Sequence, residues 1–252
     1  MSKISMLTAY DFNTARALEE VGIDYILMGD SLANVFLGYK TTQEVSFEEM
    51  MMCFKAVRRG APNTKIVADL PYVSVSKPNE EAYEDALKFF EAGADLVKIE
   101  NAEAKSLELI KMLTDKGYEV MGHLGYTPQS IEKFNGKPSY VKDRELLLRE
   151  ANEIVEAGVS SFVLEMVPDE IAEEITQEVS TKSVFTIGIG AGQGTSGQVL
   201  VSDDLLGRFN LFKPRFVKRF SYQYEDMLRA FSEYKNEVQE LKFPEDHNKK
   251  LV

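Results

Sequence analysis

The chain has 252 residues, 44% hydrophobic and 28% charged, an ordinary balance for a globular protein with a sizeable buried core. Its net charge of -12 argues against a general nucleic-acid or anionic-membrane binder, since both need a basic surface. The one cysteine, Cys53, excludes an intrachain disulfide and reads as a small apolar core residue within "EEMMMCFKAV".

The N-terminal "MSKISMLTAYDF" lacks the apolar centre of a signal peptide. No apolar run approaches the roughly 18 residues of a membrane span. A cytoplasmic protein is expected.

In chain order, short β-like runs alternate with longer helical ones. "ISMLTA" (4–9) precedes "DFNTARALEEVG" (11–22), where Asp11 can cap the helix and Gly22 can end it. "DYILMG" (24–29) leads through the long, partly apolar "SLANVFLGYKTTQEV" to "SFEEMMMCFKAVRRG" (46–60), which opens on a Ser46/Glu49 capping box. That loop is a candidate lid or subunit contact. "KIVADLP" (65–71) precedes "NEEAYEDALKFFEAG" (79–93), and "DLVKIE" (95–100) precedes "AKSLELIKMLTDKG" (104–117). "EVMGHLG" (119–125) leads to "RELLLREANEIVEAG" (144–158), and "SSFVLEMV" (160–167) to "PDEIAEEITQEV" (168–179). "SVFTIGIG" (183–190) is followed by a Gly-rich loop and "SDDLLGRF", then "RFVKRF" (215–220) by the helical run 222–241. Helices end repeatedly in Gly, at Gly22, Gly60, Gly93, Gly117 and Gly158.

These runs make eight strand–helix units with no linker or low-complexity segment between them. The pattern predicts an α/β protein whose residues 1–252 form a single (β/α)8 (TIM) barrel domain. A doubly wound sheet is the alternative.

Four of the strand-like runs carry an acid near the C-terminal end: Asp30, Asp69, Glu100 and Glu165. A carboxylate amid Val, Leu and Met, as in "FVLEMVP", is destabilising unless paired, protonated or metal-bound. Read singly, each is as readily a helix cap or a loop acid. Lys98 can be a structural ion-pair partner and His123 a hydrogen-bonded core residue. In a barrel, however, the strand ends converge on one face, gathering Asp30, Ser31, Asp69, Lys98, Glu100, His123 and Glu165. Crowded acids must share protons or bind a cation. Oxygen ligands without cysteine suit Mg2+ or another hard divalent ion, which can chelate a small 2-oxo acid and stabilise its enolate. Lys98 would neutralise the substrate carboxylate, and the poorly solvated Glu165 would abstract a proton. "TIGIGAGQGTSGQVLV" (186–201) is not a P-loop. It reads equally as a phosphate-binding loop or a structural turn.

These residues fall in longer motifs: "MLTAYD", "GDSL", "LGY", "VADLP", "GAD.VK.E", "VMGH.G.TPQS", "LE.VP", "IGIGAG", "GQVLV" and "FVKR". With them the chain resembles the 3-methyl-2-oxobutanoate (ketopantoate) hydroxymethyltransferase family almost end to end. The resemblance implies a barrel of the phosphoenolpyruvate/pyruvate type. It implies metal ligation by Asp30 and Asp69, with Glu100 in or next to the shell. It implies substrate contacts from Asp30, Ser31, Asp69 and Lys98, Glu165 as proton acceptor, and His123 as an active-site residue. It further implies Mg2+, 5,10-methylenetetrahydrofolate as cosubstrate, pantothenate biosynthesis as the setting, and a homo-oligomer, a decamer in the family.

The chain departs from the family pattern in loops only. Asn101-Ala102 replaces Gly-Gly, Ser196 precedes Gly197-Gln198 in place of "DGQ", and "FNGKPSYVKDRE" and "GYKTTQEV" differ from their usual forms. A rival reading is a Mg2+-dependent lyase or mutase of the isocitrate lyase/phosphoenolpyruvate mutase type. It lacks support from a "KKCGH"-like cysteine loop.

Overall fold

The computed structural model describes residues 3–244, which divide into two compact units at Ser202/Asp203. The first unit holds a closed barrel of eight strands in sequence order, all parallel. Its elements are β1 (Ile4–Thr8), α1 (Phe12–Val21), β2 (Tyr25–Met28), α2 (Leu32–Val35), α3 (Phe47–Gly60), β3 (Lys65–Asp69), α4 (Tyr72–Val75) and α5 (Asn79–Glu91). They continue as β4 (Leu96–Glu100), α6 (Ala104–Thr114), β5 (Val120–Gly125), α7 (Arg144–Glu156), β6 (Ser161–Glu165), α8 (Asp169–Ser180), β7 (Phe185–Ile189) and β8 (Gly197–Leu200). Short α9 (Ser202–Leu205) begins at the boundary, and α10 (Gln223–Gln239) lies in the second unit. No helix among the described residues is long and apolar enough to cross a membrane.

The predicted caps form. Asp11 accepts from the backbone N–H groups of Asn13 and Thr14 at 2.8 and 2.9 Å, and Gly22 closes α1 in the left-handed region. Ser46 and Glu49 make the reciprocal capping box of α3. α3 ends at Gly60, as the sequence predicts, and this glycine also serves helix packing. A Cβ there would sit 2.4 Å from the Phe12 carbonyl. Gly60 is small because α1 and α3 approach closely.

One expectation is corrected. "RFVKRF" (215–220) forms no strand; the eighth strand is Gly197–Leu200, inside the Gly-rich run. Gly197 lies between Ile4 and Ile187 of the neighbouring strands, where a Cβ would meet the Ile4 carbonyl at 2.5 Å. The barrel therefore closes within the first unit, and β7 reaches β8 through 190–196 without a helix.

Two apolar layers follow from the alternation of strand side chains. One lies between the strands and the helices, and Cys53, Phe54 and Phe89 are buried in it. The other fills the barrel: Met6, Leu27, Val67, Leu96, Met121, Val163, Ile187 and Val199, one from each strand. This plug makes the interior a packed core rather than a channel. Two residues beyond it, the same inward face carries Asp69, Lys98, His123 and Glu165, and Glu100 follows Lys98 by two more. In the second unit, α10 buries no residue and exposes Met227, Phe231, Tyr234 and Val238 at helical spacing.

Gly125 ends β5 with φ +91°, and a Cβ there would lie 2.2 Å from the Glu165 carbonyl. Gly125→Ala should therefore lose far more stability in urea unfolding than Gly22→Ala, whose φ is +75° with nothing within 4 Å. The latter should lose roughly 1–2 kcal/mol, the ordinary cost of the left-handed region. Equal losses would contradict the close approach of β5 and β6.

Candidate active site

Every residue singled out at the strand ends lies at the C-terminal mouth of the barrel. Asp30, Asp69, Lys98, Glu100 and His123 are each at most 5% exposed. Glu165 is more open, with its side chain 17% exposed. Its inward direction is set by Val163 of the interior plug, two residues earlier on β6.

The centre of the site is the Lys98 ammonium. It lies 2.9 Å from Asp69 Oδ1 and 3.4 Å from Glu100 Oε1. His123 stands between two acids, with Nδ1 3.1 Å from Glu100 Oε1 and Nε2 3.4 Å from Glu165 Oε2. Register places these groups side by side: Asp69 pairs with Lys98, and Glu100 with His123. Asp69 Oδ2 also accepts the backbone N–H of Asp30 at 3.1 Å. That bond ties the end of β2 to β3.

Charge is unevenly compensated. Burial alone would lower the Lys98 pKa, but Asp69, Glu100 and Asp30 outweigh it and hold the ammonium charged. Burial would raise Glu100, yet Lys98, His123 and the Gln129 N–H bring it down to about 2. His123 is pushed up to about 9; burial and Lys98 oppose its charge, and Glu100 and Glu165 prevail. Asp30 goes the other way. Burial, then repulsion from Asp69 and Glu100, raises it well above the carboxylate range. Asp69 is raised too, by burial against the pull of Lys98. Asp30 and Asp69 are thus the acids whose charge the protein leaves least compensated.

That imbalance bears on whether the residues fit a cation. The donors are carboxylate oxygens, the chemistry of a hard divalent ion. Asp30 and Asp69 fit, because a cation would offset the burial and the neighbouring carboxylates that raise both acids. Glu100 has both oxygens engaged, Oε1 by Lys98 and His123 and Oε2 by the Gln129 N–H at 3.0 Å. Among the described residues, no three His, Cys, Asp or Glu side chains converge as a ready ligand set.

Ser31 opens α2, and its hydroxyl shares a 2.8 Å hydrogen bond with the Tyr10 hydroxyl. Tyr10 and Gln129 escaped the sequence reading, although both lie in quoted motifs, "MLTAYD" and "TPQS". Tyr126 also reaches the site; burial and the charges of Glu165, Glu100 and Asp30 push its phenol up to about 12. The 31–45 loop folds toward the 128–134 turn, where Gln43 Nε2 donates to the Gln129 carbonyl at 2.8 Å.

The Gly-rich segment resolves toward a structural turn. Gly192 and Gly194 pack on Asp169 and Glu173 of α8, where a Cβ would meet side-chain atoms at 2.3 and 2.5 Å. The Lys3 ammonium donates to the carbonyls of Gln193 and Thr195. The Asp169 carboxylate against the loop opposes an anion there.

Known proteins match this chain over nearly its whole length. The family profile described as ketopantoate hydroxymethyltransferase matches residues 1–246. A protein of Thermotoga neapolitana named 3-methyl-2-oxobutanoate hydroxymethyltransferase is 47% identical over 249 residues, 98% of this chain and 91% of its own. One of the same name from Leptospira interrogans is 46% identical over 251 residues, covering 98% and 94%. Among solved structures, 2,3-dimethylmalate lyase, a member of the PEP mutase/isocitrate lyase superfamily, aligns with a TM-score of 0.64 at 14% identity, over 94% of this chain and 81% of that one. That likeness concerns the barrel alone. With the profile spanning nearly all of it, the chain belongs to the ketopantoate hydroxymethyltransferase family.

Proposed function

We propose that this enzyme transfers a hydroxymethyl group from 5,10-methylenetetrahydrofolate to 3-methyl-2-oxobutanoate, giving 2-dehydropantoate in pantothenate biosynthesis. The observation that carries the reading is the polarity of the barrel mouth. Two undercompensated acids and Lys98 stand at one side, and the more open Glu165 stands across His123 at the other. Family membership and the shared name of the relatives supply the substrate class.

Asp30 and Asp69 would hold Mg2+ or another hard divalent ion. When bound, that ion supplies a Lewis acid for the 2-oxo group. Lys98 supplies positive charge for the substrate carboxylate, and Ser31 a hydroxyl at the start of α2. Glu165 takes the proton from C3, and the electron pair left behind gives the enolate. The enolate carbon forms a C–C bond to the folate methylene as the first of its two methylene–nitrogen bonds breaks, and the proton held by Glu165 passes to that nitrogen. Water then bonds through oxygen to the methylene carbon as the second methylene–nitrogen bond breaks, its proton passes to the second nitrogen, and tetrahydrofolate leaves. His123 fixes Glu165 across the site through the charge it keeps on Nε2. Glu100 holds Lys98 and His123 in place.

The rival lyase or mutase reading gains nothing from Cys53, which is buried in the helix layer. Cytoplasmic location and homo-oligomeric assembly belong to the same proposal. The apolar side chains left exposed along α10 support assembly.

Three outcomes are expected. With 3-methyl-2-oxobutanoate and Mg2+ in heavy water, NMR should show loss of the C3 proton for the native enzyme. Glu165→Gln should bind substrate and metal but slow that exchange about a hundredfold or more, the usual weight of a general base; a rate near that of the native enzyme would remove Glu165 as the base. Asp69→Asn should weaken Mg2+ binding sharply in calorimetry, and unchanged affinity would remove Asp69 from the ion. In the metal-free protein, His123 should titrate near 9 rather than the ordinary 6.5. Its stabilising effect is then full below 6.5 and lost as pH rises through about 9. Glu165→Gln should lower that midpoint, as followed by the imidazole C2–H resonance; an unmoved midpoint would contradict the His123–Glu165 contact.

A further inference from the structure

Gln129 is neutral and lies in the 128–134 turn, yet four parts of the mouth meet on it. Its backbone N–H donates to Glu100 Oε2 at 3.0 Å. Its side-chain nitrogen donates to Asp30 Oδ2 at 3.2 Å and to the Leu70 carbonyl at 3.0 Å. Its own carbonyl accepts from Gln43 Nε2 at 2.8 Å, and the same Gln43 amide reaches the Glu132 carboxylate at 3.0 and 3.1 Å.

The direction of the carboxamide is forced. Both side-chain neighbours are acceptors, so the nitrogen must face them. The consequence is a buried oxygen: Gln129 is 4% exposed, and its Oε1 has no protein donor. A buried acceptor left so is destabilising, and an apolar side chain of the same length would avoid it. The amide is retained for what its two N–H groups hold.

They hold the long segment that follows β2. Asp30 follows β2 at the base of the long loop, and Gln43 lies near the loop's far end. Both ends bond to Gln129, one through the side chain and one through the backbone. The loop is thereby closed on the residue that also holds Glu100. Oδ2 of Asp30 is engaged by Gln129, so Oδ1 is the oxygen left for another partner.

We propose that Gln129 is the positioning residue of the cation site, fixing the Asp30 carboxylate and the 30–43 loop so that Asp30 and Asp69 serve one ion. This rests on the cation reading given above. Gln129→Met keeps the length and removes both donors; Gln129→Ala leaves room for water and serves if the Met variant does not fold. Mg2+ alone is titrated calorimetrically into each metal-free protein, and thermal unfolding is followed with and without Mg2+. The variants should bind Mg2+ at least about tenfold more weakly, as loss of a ligand-orienting partner does, and should gain less thermal stability from Mg2+ than the native enzyme. If they bind within about twofold of the native enzyme while their metal-free unfolding temperature falls, Gln129 is structural only and the proposal fails by itself; the tenfold expectation leaves that outcome clear. If the native enzyme takes up no Mg2+, the cation reading falls and this proposal with it.

Discussion

The mouth of this barrel buries more negative charge than its own cations can offset. Lys98 lies 2.9 Å from Asp69 and 3.4 Å from Glu100, and His123 lies between Glu100 and Glu165. A single charge pair at 4 Å is worth about 4 kcal/mol at the effective dielectric near a protein surface, and Lys98 cannot give that to every acid at once. Glu100, which His123 and the Gln129 N–H also hold, is brought down to about 2, while burial raises Asp30 and Asp69. Such an arrangement persists in a protein when it serves a ligand. A hard cation and an anionic oxo acid together would satisfy it, the first by relieving Asp30 and Asp69, the second by meeting Lys98.

The fold is what makes that imbalance possible. The ring of apolar side chains, one from each strand, closes the barrel below the site. Alternation then points the next inward residues of β3, β4, β5 and β6 at each other. Asp69, Glu100 and Glu165 are therefore held by sheet register and can stay close despite repulsion, while Asp30 lies just beyond the end of β2. Loops complete the site from above, and Gln129 joins them to the strand ends.

Residues differed in how plainly they could be read. The acids and Lys98 were legible because a charge inside an apolar run violates the pattern of a buried strand. Helix starts were legible because capping uses a short chemical vocabulary, as at Asp11 and Ser46. The eighth strand was not. Gly197–Leu200 is four residues long and begins with a glycine required by the Ile4 backbone, so it carries almost no β signal. "RFVKRF" carries that signal and forms no strand. Gln129 was hidden for another reason: a neutral amide in a loop looks the same whether it faces water or bridges two carboxylates. Which way Glu165 pointed needed the neighbouring strands, since register alone sets the inward face.

The most direct test of this account is a crystal structure with Mn2+ and 3-methyl-2-oxobutanoate, read by the anomalous signal of the metal. The account predicts one metal peak shared by Asp30 and Asp69, the substrate carboxylate turned to Lys98, and C3 within roughly 3.5 Å of the Glu165 carboxylate, the distance of a reactive pair. A metal held elsewhere, or a substrate whose C3 faces away from Glu165, would contradict it.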